Sequence, residues 1–162
     1  MRRKDREVSS KEEIKSIIDK CKVCHLAMVD KGLPYVVPLN FGYTLEDNLL
    51  TLFFHSAKAG RKLDILKENN AVCFEMACEG RLGHIDNPCD SGYYYESVLG
   101  FGHVEFVEDI SEKCNALALL VKYLSGQDFV FTGKQADGVC VFKVVSTDFT
   151  GKRKPGPSGQ TE

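Results

Sequence analysis

No apolar run in this chain approaches the roughly 20 residues that a membrane-crossing helix requires, which excludes that class of protein. Charge of one sign is lacking as well: 21 basic and 23 acidic residues leave a net charge of -2, so the whole-protein field gives no argument for nucleic acid. Basic residues gather only at the ends, Arg2 to Arg6 and Lys152 to Lys154, and both groups read as frayed or solvated termini. The start, Met-Arg-Arg-Lys-Asp-Arg, carries no apolar signal segment, which predicts a cytoplasmic protein. Seven cysteines, an odd number, then read as reduced thiols, several of them buried. P-loop, Rossmann and Gly-x-Ser-x-Gly fingerprints are missing, and no internal repeat is visible.

What is there suffices for one domain. At 162 residues and 43% hydrophobic, a chain of this size buries about 70% of its unfolded surface. Residues 1–150 read as the domain and 151–162, rich in proline and glycine, as a disordered tail. Ser10-x-x-Glu13 has capping-box spacing, and Ile14, Ile17 and Ile18 share one face, so 10–20 predicts a helix. Residues 21–30 alternate as a strand apolar on both sides, which implies two-faced burial or a place in a barrel. Lys31-Gly32 is a turn; 33–43 returns as a second strand, placed at an edge by Pro34 and Pro38. Strands at 48–54, 71–77, 93–107 and 139–146 follow, with a bend expected at Gly100 and Gly102. Residues 111–124 read as a helix with Cys114, Leu117, Ala118 and Val121 inward, ended by Gly126, and 78–92 as a loop or ragged short strands. The fold class is mainly β: about six antiparallel strands in a small closed or split barrel with peripheral helices.

The stretch Phe53-Phe54-His55-Ser56-Ala57-Lys58-Ala59-Gly60-Arg61-Lys62 joins a strand to a helix, with Ser56 as the expected cap. A helix start favours acids, yet Lys58, Arg61 and Lys62 crowd this one, and Lys58 and Lys62 would repel at i,i+4. Either the cluster is a solvated face or an anion, a phosphate above all, compensates for it. His55 stands at the lip of that site and is the candidate catalytic residue.

Cys21-Lys22-Val23-Cys24-His25 matches the pattern of covalent haem attachment, but at the start of an apolar strand it reads as structural. Cys73, Cys78, His84 and Cys89 are zinc ligands by type without a close Cys pair, and no metal site is expected from them. Tyr93, Tyr94 and Tyr95 suit either a packed interface or a planar ligand.

Pro34-Tyr35-Val36-Val37-Pro38-Leu39-Asn40-Phe41-Gly42-Tyr43, the 53–62 stretch, Val72-Cys73-Phe74-Glu75, Cys89-Asp90, Tyr95-x-Ser97-Val98-x-Gly100-x-Gly102, Glu105-Phe106-Val107-Glu108 and Thr150-Gly151-Lys152 together resemble the nitroimidazole-resistance branch of the pyridoxamine-phosphate-oxidase-like flavoproteins. The resemblance covers nearly the whole chain. It implies a six-stranded FMN-binding split barrel, a homodimer with flavin at the subunit interface, and a phosphate gripped by Arg61 and Lys62 with help from Ser56 and Lys58. Val36, Val37, Pro38, Leu39 and Asn40 would line the ring together with His55, while Tyr95, Ser97 and Val98 would approach from the partner subunit. A proline-interrupted strand with free backbone groups suits the polar atoms of a flavin ring. The activity implied is reduction of a nitroaromatic or another small oxidised molecule. The alternatives are a flavin- or haem-binding stress or sensor protein without turnover, and oxidation of a pyridoxamine-like substrate. One departure follows Cys89-Asp90, where many relatives carry an aromatic residue and this chain has Ser91.

Overall fold

The isoleucine stripe forms α1 (Lys11–Lys20), with the Ser10 hydroxyl accepting the Glu13 N–H at 3.2 Å and Ile14, Ile17 and Ile18 buried. The computed structural model describes residues 3–78, 80–83 and 92–154. Among them are nine strands: β1 (Glu7–Val8), β2 (Cys24–Asp30), β3 (Leu33–Leu39), β4 (Gly42–Glu46), β5 (Leu49–Ser56), β6 (Ala71–Ala77), β7 (Arg81–Leu82), β8 (Tyr93–Val107) and β9 (Cys140–Lys154). The excess over six comes from the two-residue β1 and β7 and from a break in the segment 33–43. Phe41 is fully buried at that break, and the Asn40 amide turns aside to donate to the Lys22 carbonyl.

Every pairing is antiparallel, in the order β3-β2-β6-β8-β9-β5-β4, so the sheet has edges at β3 and β4 and is split. The prolines put β3 at an edge as expected. Its hairpin with β2 turns through Lys31 and Gly32, both at positive φ, the arrangement that matches strand twist. Between Phe101 and His103 of β8 the register with β9 shifts, two steps along β8 facing three along β9. The irregularity thus falls where a bend was expected, and its extra residue belongs to the partner strand. Inside the barrel lie Leu26, Met28, Phe54, Phe74, Met76, Val98 and Phe142.

β2 is one-sided, not two-faced: Cys24, Leu26 and Met28 are buried, whereas His25 is exposed and Val29 is 49% exposed. The apolar residues on its other side form outer surface in the single chain.

The helices complete the frame. α2 (Arg61–Glu68) follows β5; its cap is Gly60, at φ 141, and has no side chain to accept the first N–H groups. Ser56 is not the cap: four residues separate it from the helix, and its hydroxyl donates to the Ala57 carbonyl at 2.9 Å. Lys58 therefore lies outside the helix, and the i,i+4 repulsion with Lys62 does not arise. α3 (Ile110–Ser125) ends at left-handed Gly126 but buries Lys113, Ala116, Leu117 and Leu120, a face rotated from the one expected. Its close approach to β4 requires Gly42, where a Cβ would sit 2.6 Å from the Leu119 side chain. α4 (Gly133–Asp137), closed by a Thr132/Gln135 capping box, is an additional element. No helix among the described residues is long and apolar enough to cross a membrane.

Gly151 to Lys154 continue β9, so the folded chain runs past 150, and 155–162 lie outside the described residues. Arg153 donates to Glu96 and to Glu13 (2.6 Å), and Lys20 also reaches Glu96. Burial alone would raise the Glu96 carboxyl, but the hydrogen bonds from Lys20 and Arg153 outweigh it and hold the group below its usual value of 4.5. A depressed carboxylate contributes stability above its unfolded pKa and loses it as pH falls through the lower folded value. Glu96→Gln is thus expected to lower the melting temperature by several degrees at pH 7. The gap to the unmodified protein should close as pH drops below the carboxylate range, as thermal denaturation across pH will show.

Candidate functional site

The β5–α2 junction sets the three cations apart. Arg61 places its Nε and Nη2 at 2.9 and 2.8 Å from Asp30 Oδ2 and lies over the Tyr35 ring at 4.4 Å, tying α2 to the β2–β3 hairpin. Lys58 Nζ is 3.4 Å from Asp137 Oδ1. Lys62, half-buried, has no side-chain hydrogen bond or ion pair among the described residues. Among the described residues only one of the three is thus left uncompensated, beside a helix start whose glycine cap accepts the Leu63 and Asp64 N–H groups through its carbonyl but offers no side-chain acceptor. His55 is exposed in the penultimate position of β5, and Ser56 is buried next to it.

β3 presents an unpaired edge. Along it Val36 (53% exposed) and Pro38 face outward, while Val37 and Leu39 are half-buried against the core. Asn40 is exposed, its amide engaged with Lys22.

The third group lies on the outward face of β8. Tyr95 and Ser97, with Glu75, Leu99, Thr150 and Lys152, line a groove of about 880 Å³. A hydrogen bond from Lys152 is the main cause that holds the Tyr95 hydroxyl below its ordinary pKa, and the Lys152 ammonium sits 5.5 Å from the ring centre. Val98 does not belong here: it is fully buried, because alternation turns its side chain into the barrel between Ser97 and Leu99. A second groove on this face, about 550 Å³, is lined by Ala27, Val29, Cys73 and Phe101. None of the α2 cations lines either groove, so the single chain carries two partial sites.

Sequence reasoning missed Leu99, Phe101 and Lys152. Counting in twos from Tyr95 through Ser97 would have found the first two.

The haem-like motif faces inward. Cys21 and Cys24 are buried, the Cys24 thiol pushed up to about 12 chiefly by burial, and Cys21 Sγ lies 3.5 Å from Cys78 Sγ. Thiols so placed are structural, and His25 instead sits 3.2 Å from Glu75 on the surface. Of the zinc-type residues, Cys73 and Cys78 are half-buried; His84 and Cys89, like Asp90 and Ser91, lie outside the described residues.

The sequence profile described as pyridoxamine 5'-phosphate oxidase matches residues 10–153. A proposed 5-nitroimidazole antibiotic resistance protein from Bacteroides thetaiotaomicron VPI-5482 is 34% identical, with a TM-score of 0.79 over 91% of this chain and 86% of its own. The flavocytochrome Anf3 from Azotobacter vinelandii (20% identity, TM-score 0.78, 100% of this chain and 75% of its own) shares the fold. So does the FAD and haem binding protein from Mycobacterium smegmatis (18% identity, TM-score 0.79, 96% and 77%). No curated protein matches the sequence.

Proposed function

Since the chain belongs to the pyridoxamine 5'-phosphate oxidase family, we propose that it is an FMN-dependent oxidoreductase that reduces a small nitroaromatic molecule and works as a homodimer. The observation that carries the cofactor is the start of α2: a glycine cap whose carbonyl takes the Leu63 and Asp64 N–H groups but which has no side chain for those of Arg61 and Lys62, next to a Lys62 ammonium without a partner among the described residues. Unpaired N–H groups and a free ammonium fit a phosphate. The 34% identical nitroimidazole-resistance relative supports the substrate class.

In this reading Lys62, the first N–H groups of α2 and Ser56 hold the phosphate. Arg61, already paired with Asp30, fixes the helix against the hairpin and adds positive field. The free edge of β3 from Val36 to Leu39, with Asn40 just beyond it, offers backbone groups to the ring, and His55 stands where it can hold a proton beside the bound substrate. FMN supplies the electron transfer when bound. The exposed apolar residues Val29, Val36, Leu99 and Phe101 form the surface against a second copy, whose Tyr95 and Ser97 complete the site.

The purified protein is expected to be yellow, to release a flavin spectrum on boiling, and to reduce a nitroimidazole once chemically reduced. Bound FMN without reduction of any nitroaromatic would leave the cofactor and remove the substrate. Lys62→Gln should weaken FMN binding about tenfold or more, as loss of a charge-assisted contact does. Lys58→Gln, whose ammonium is already held by Asp137, should leave it within about twofold. Equal effects of the two variants in a fluorescence titration would contradict the assignment.

A further inference from the structure

A cavity of about 350 Å³ opens on the flank of α2 away from Arg61, lined there by Leu63 and Lys67 one turn apart. Lys58 and Lys113 complete a set of three ammonium groups around it, with the carboxylates of Glu108 and Asp137. Phe106 and Val139 give it an apolar wall, and the Cys140 thiol lies within the field of Lys113, Lys67 and Lys62.

Lys113 is what sets this cavity apart. It sits in the first turn of α3 and is only 8% exposed, yet its side chain makes no hydrogen bond or ion pair among the described residues. Every fully buried side-chain nitrogen or oxygen in the described residues has a partner. The Lys113 ammonium therefore reaches solvent, and the cavity it lines is the opening through which it does so. An unpartnered ammonium that meets solvent only through this cavity, at a helix start, is doubly disfavoured, because little water reaches the charge and the helix dipole repels it. A compact anion in the cavity relieves both. Of the acids present, Asp137 is engaged by Lys58, so Glu108 alone opposes Lys67 and Lys113.

We propose that this cavity binds a phosphate group, as the free ion or as the head of a small phosphomonoester, with Lys113 at its base and Lys67 at its mouth. The site is separate from the one assigned to the flavin and does not depend on it. Neither Lys62 nor Ser56 lines it, and the charge of Lys62 reaches it only as far as Cys140. The apolar wall of Phe106 and Val139 suits an ester whose body is small and non-polar.

Calorimetric titration of the purified protein, its flavin content read by absorbance in the same sample, tests this with inorganic phosphate and glycerol 3-phosphate against sodium chloride of equal ionic strength. With the flavin site occupied, binding of either probe at one per chain is expected, weakened about tenfold or more by Lys113→Gln or Lys67→Gln and changed by no more than about twofold by Lys62→Gln, whose charge only reaches the cavity from a distance. Tighter binding of the ester would identify the phosphomonoester as the ligand, and equal binding the free ion; both support the site. If Lys113→Gln fails to fold, Lys67→Gln carries the same comparison. Binding that Lys62→Gln abolishes and Lys113→Gln and Lys67→Gln preserve would assign the anion to the flavin phosphate site and overturn the proposal. So would heat no different from the chloride control at millimolar probe.

Discussion

Phe142→Ala is expected to destabilise the protein by about 3–5 kcal/mol, the range for emptying a fully buried aromatic site. Phe142 has no exposed surface and stands on the central strand of three, paired in register with Phe54 on β5 and Phe106 on β8. Its ring stacks on Phe54 at 5.3 Å and 20° and leans on Phe106 at 6.2 Å. Because the two neighbours are held by different strands, they cannot both move in to fill the gap, which places the cost toward the upper end. Urea unfolding followed by circular dichroism measures it, and Phe142→Leu should recover most of the loss. A cost below about 1 kcal/mol for the alanine variant would mean that the barrel closes over the cavity and that the aromatic row is not the central support.

Phe101→Glu should leave the fold nearly as stable as before and, if the proposed dimer holds its flavin between subunits, remove both. The side chain is 53% exposed, and substitutions at such surface positions fall within about 0.5 kcal/mol. On the outward face, however, Phe101 lies among Val29, Val36 and Leu99, all more than a third exposed. In the proposed dimer this apolar area is covered by a second copy, and a carboxylate at its centre would face its own counterpart there. Light scattering coupled to gel filtration, with absorbance at flavin wavelengths, should show a colourless monomer. A yellow dimer would place the interface elsewhere and detach Tyr95 and Ser97 from the flavin.

Local pattern made much of the fold legible. The isoleucine triplet and Ser10 announced α1, and Lys31-Gly32 announced the first hairpin, because each depends on neighbours a few residues away. The break at Asn40 and Phe41 was not legible, since no turn pair marks it and its cause is a phenylalanine reaching a distant core. α4 had its signal, Thr132-x-x-Gln135, but at five residues it is too short for periodicity to show. At the site, the crowding of cations is visible in the sequence, yet two of its three members are answered by Asp30 and Asp137, brought there from remote parts of the chain. Lys113 carried no signal at all: only packing buries one lysine stem of a helix and leaves its ammonium at the bottom of a cavity.

The shifted register between β8 and β9 has a wider reach than its one residue. Before it, β9 sends even-numbered side chains inward, Phe142 and Val144; after it the odd ones point in, with Phe149 on the core, Gly151 against Val8 and Arg153 on Glu96. The extra residue acts as a phase setter, in the way a spacer sets a reading frame. Were it deleted, the last third of β9 would change sides, sending Arg153 and Phe149 to solvent and driving Thr150 and Lys152 from the Tyr95 groove into the core. The length of the strand at that point, more than the identity of any residue in it, keeps the groove and the Arg153 network on their respective faces.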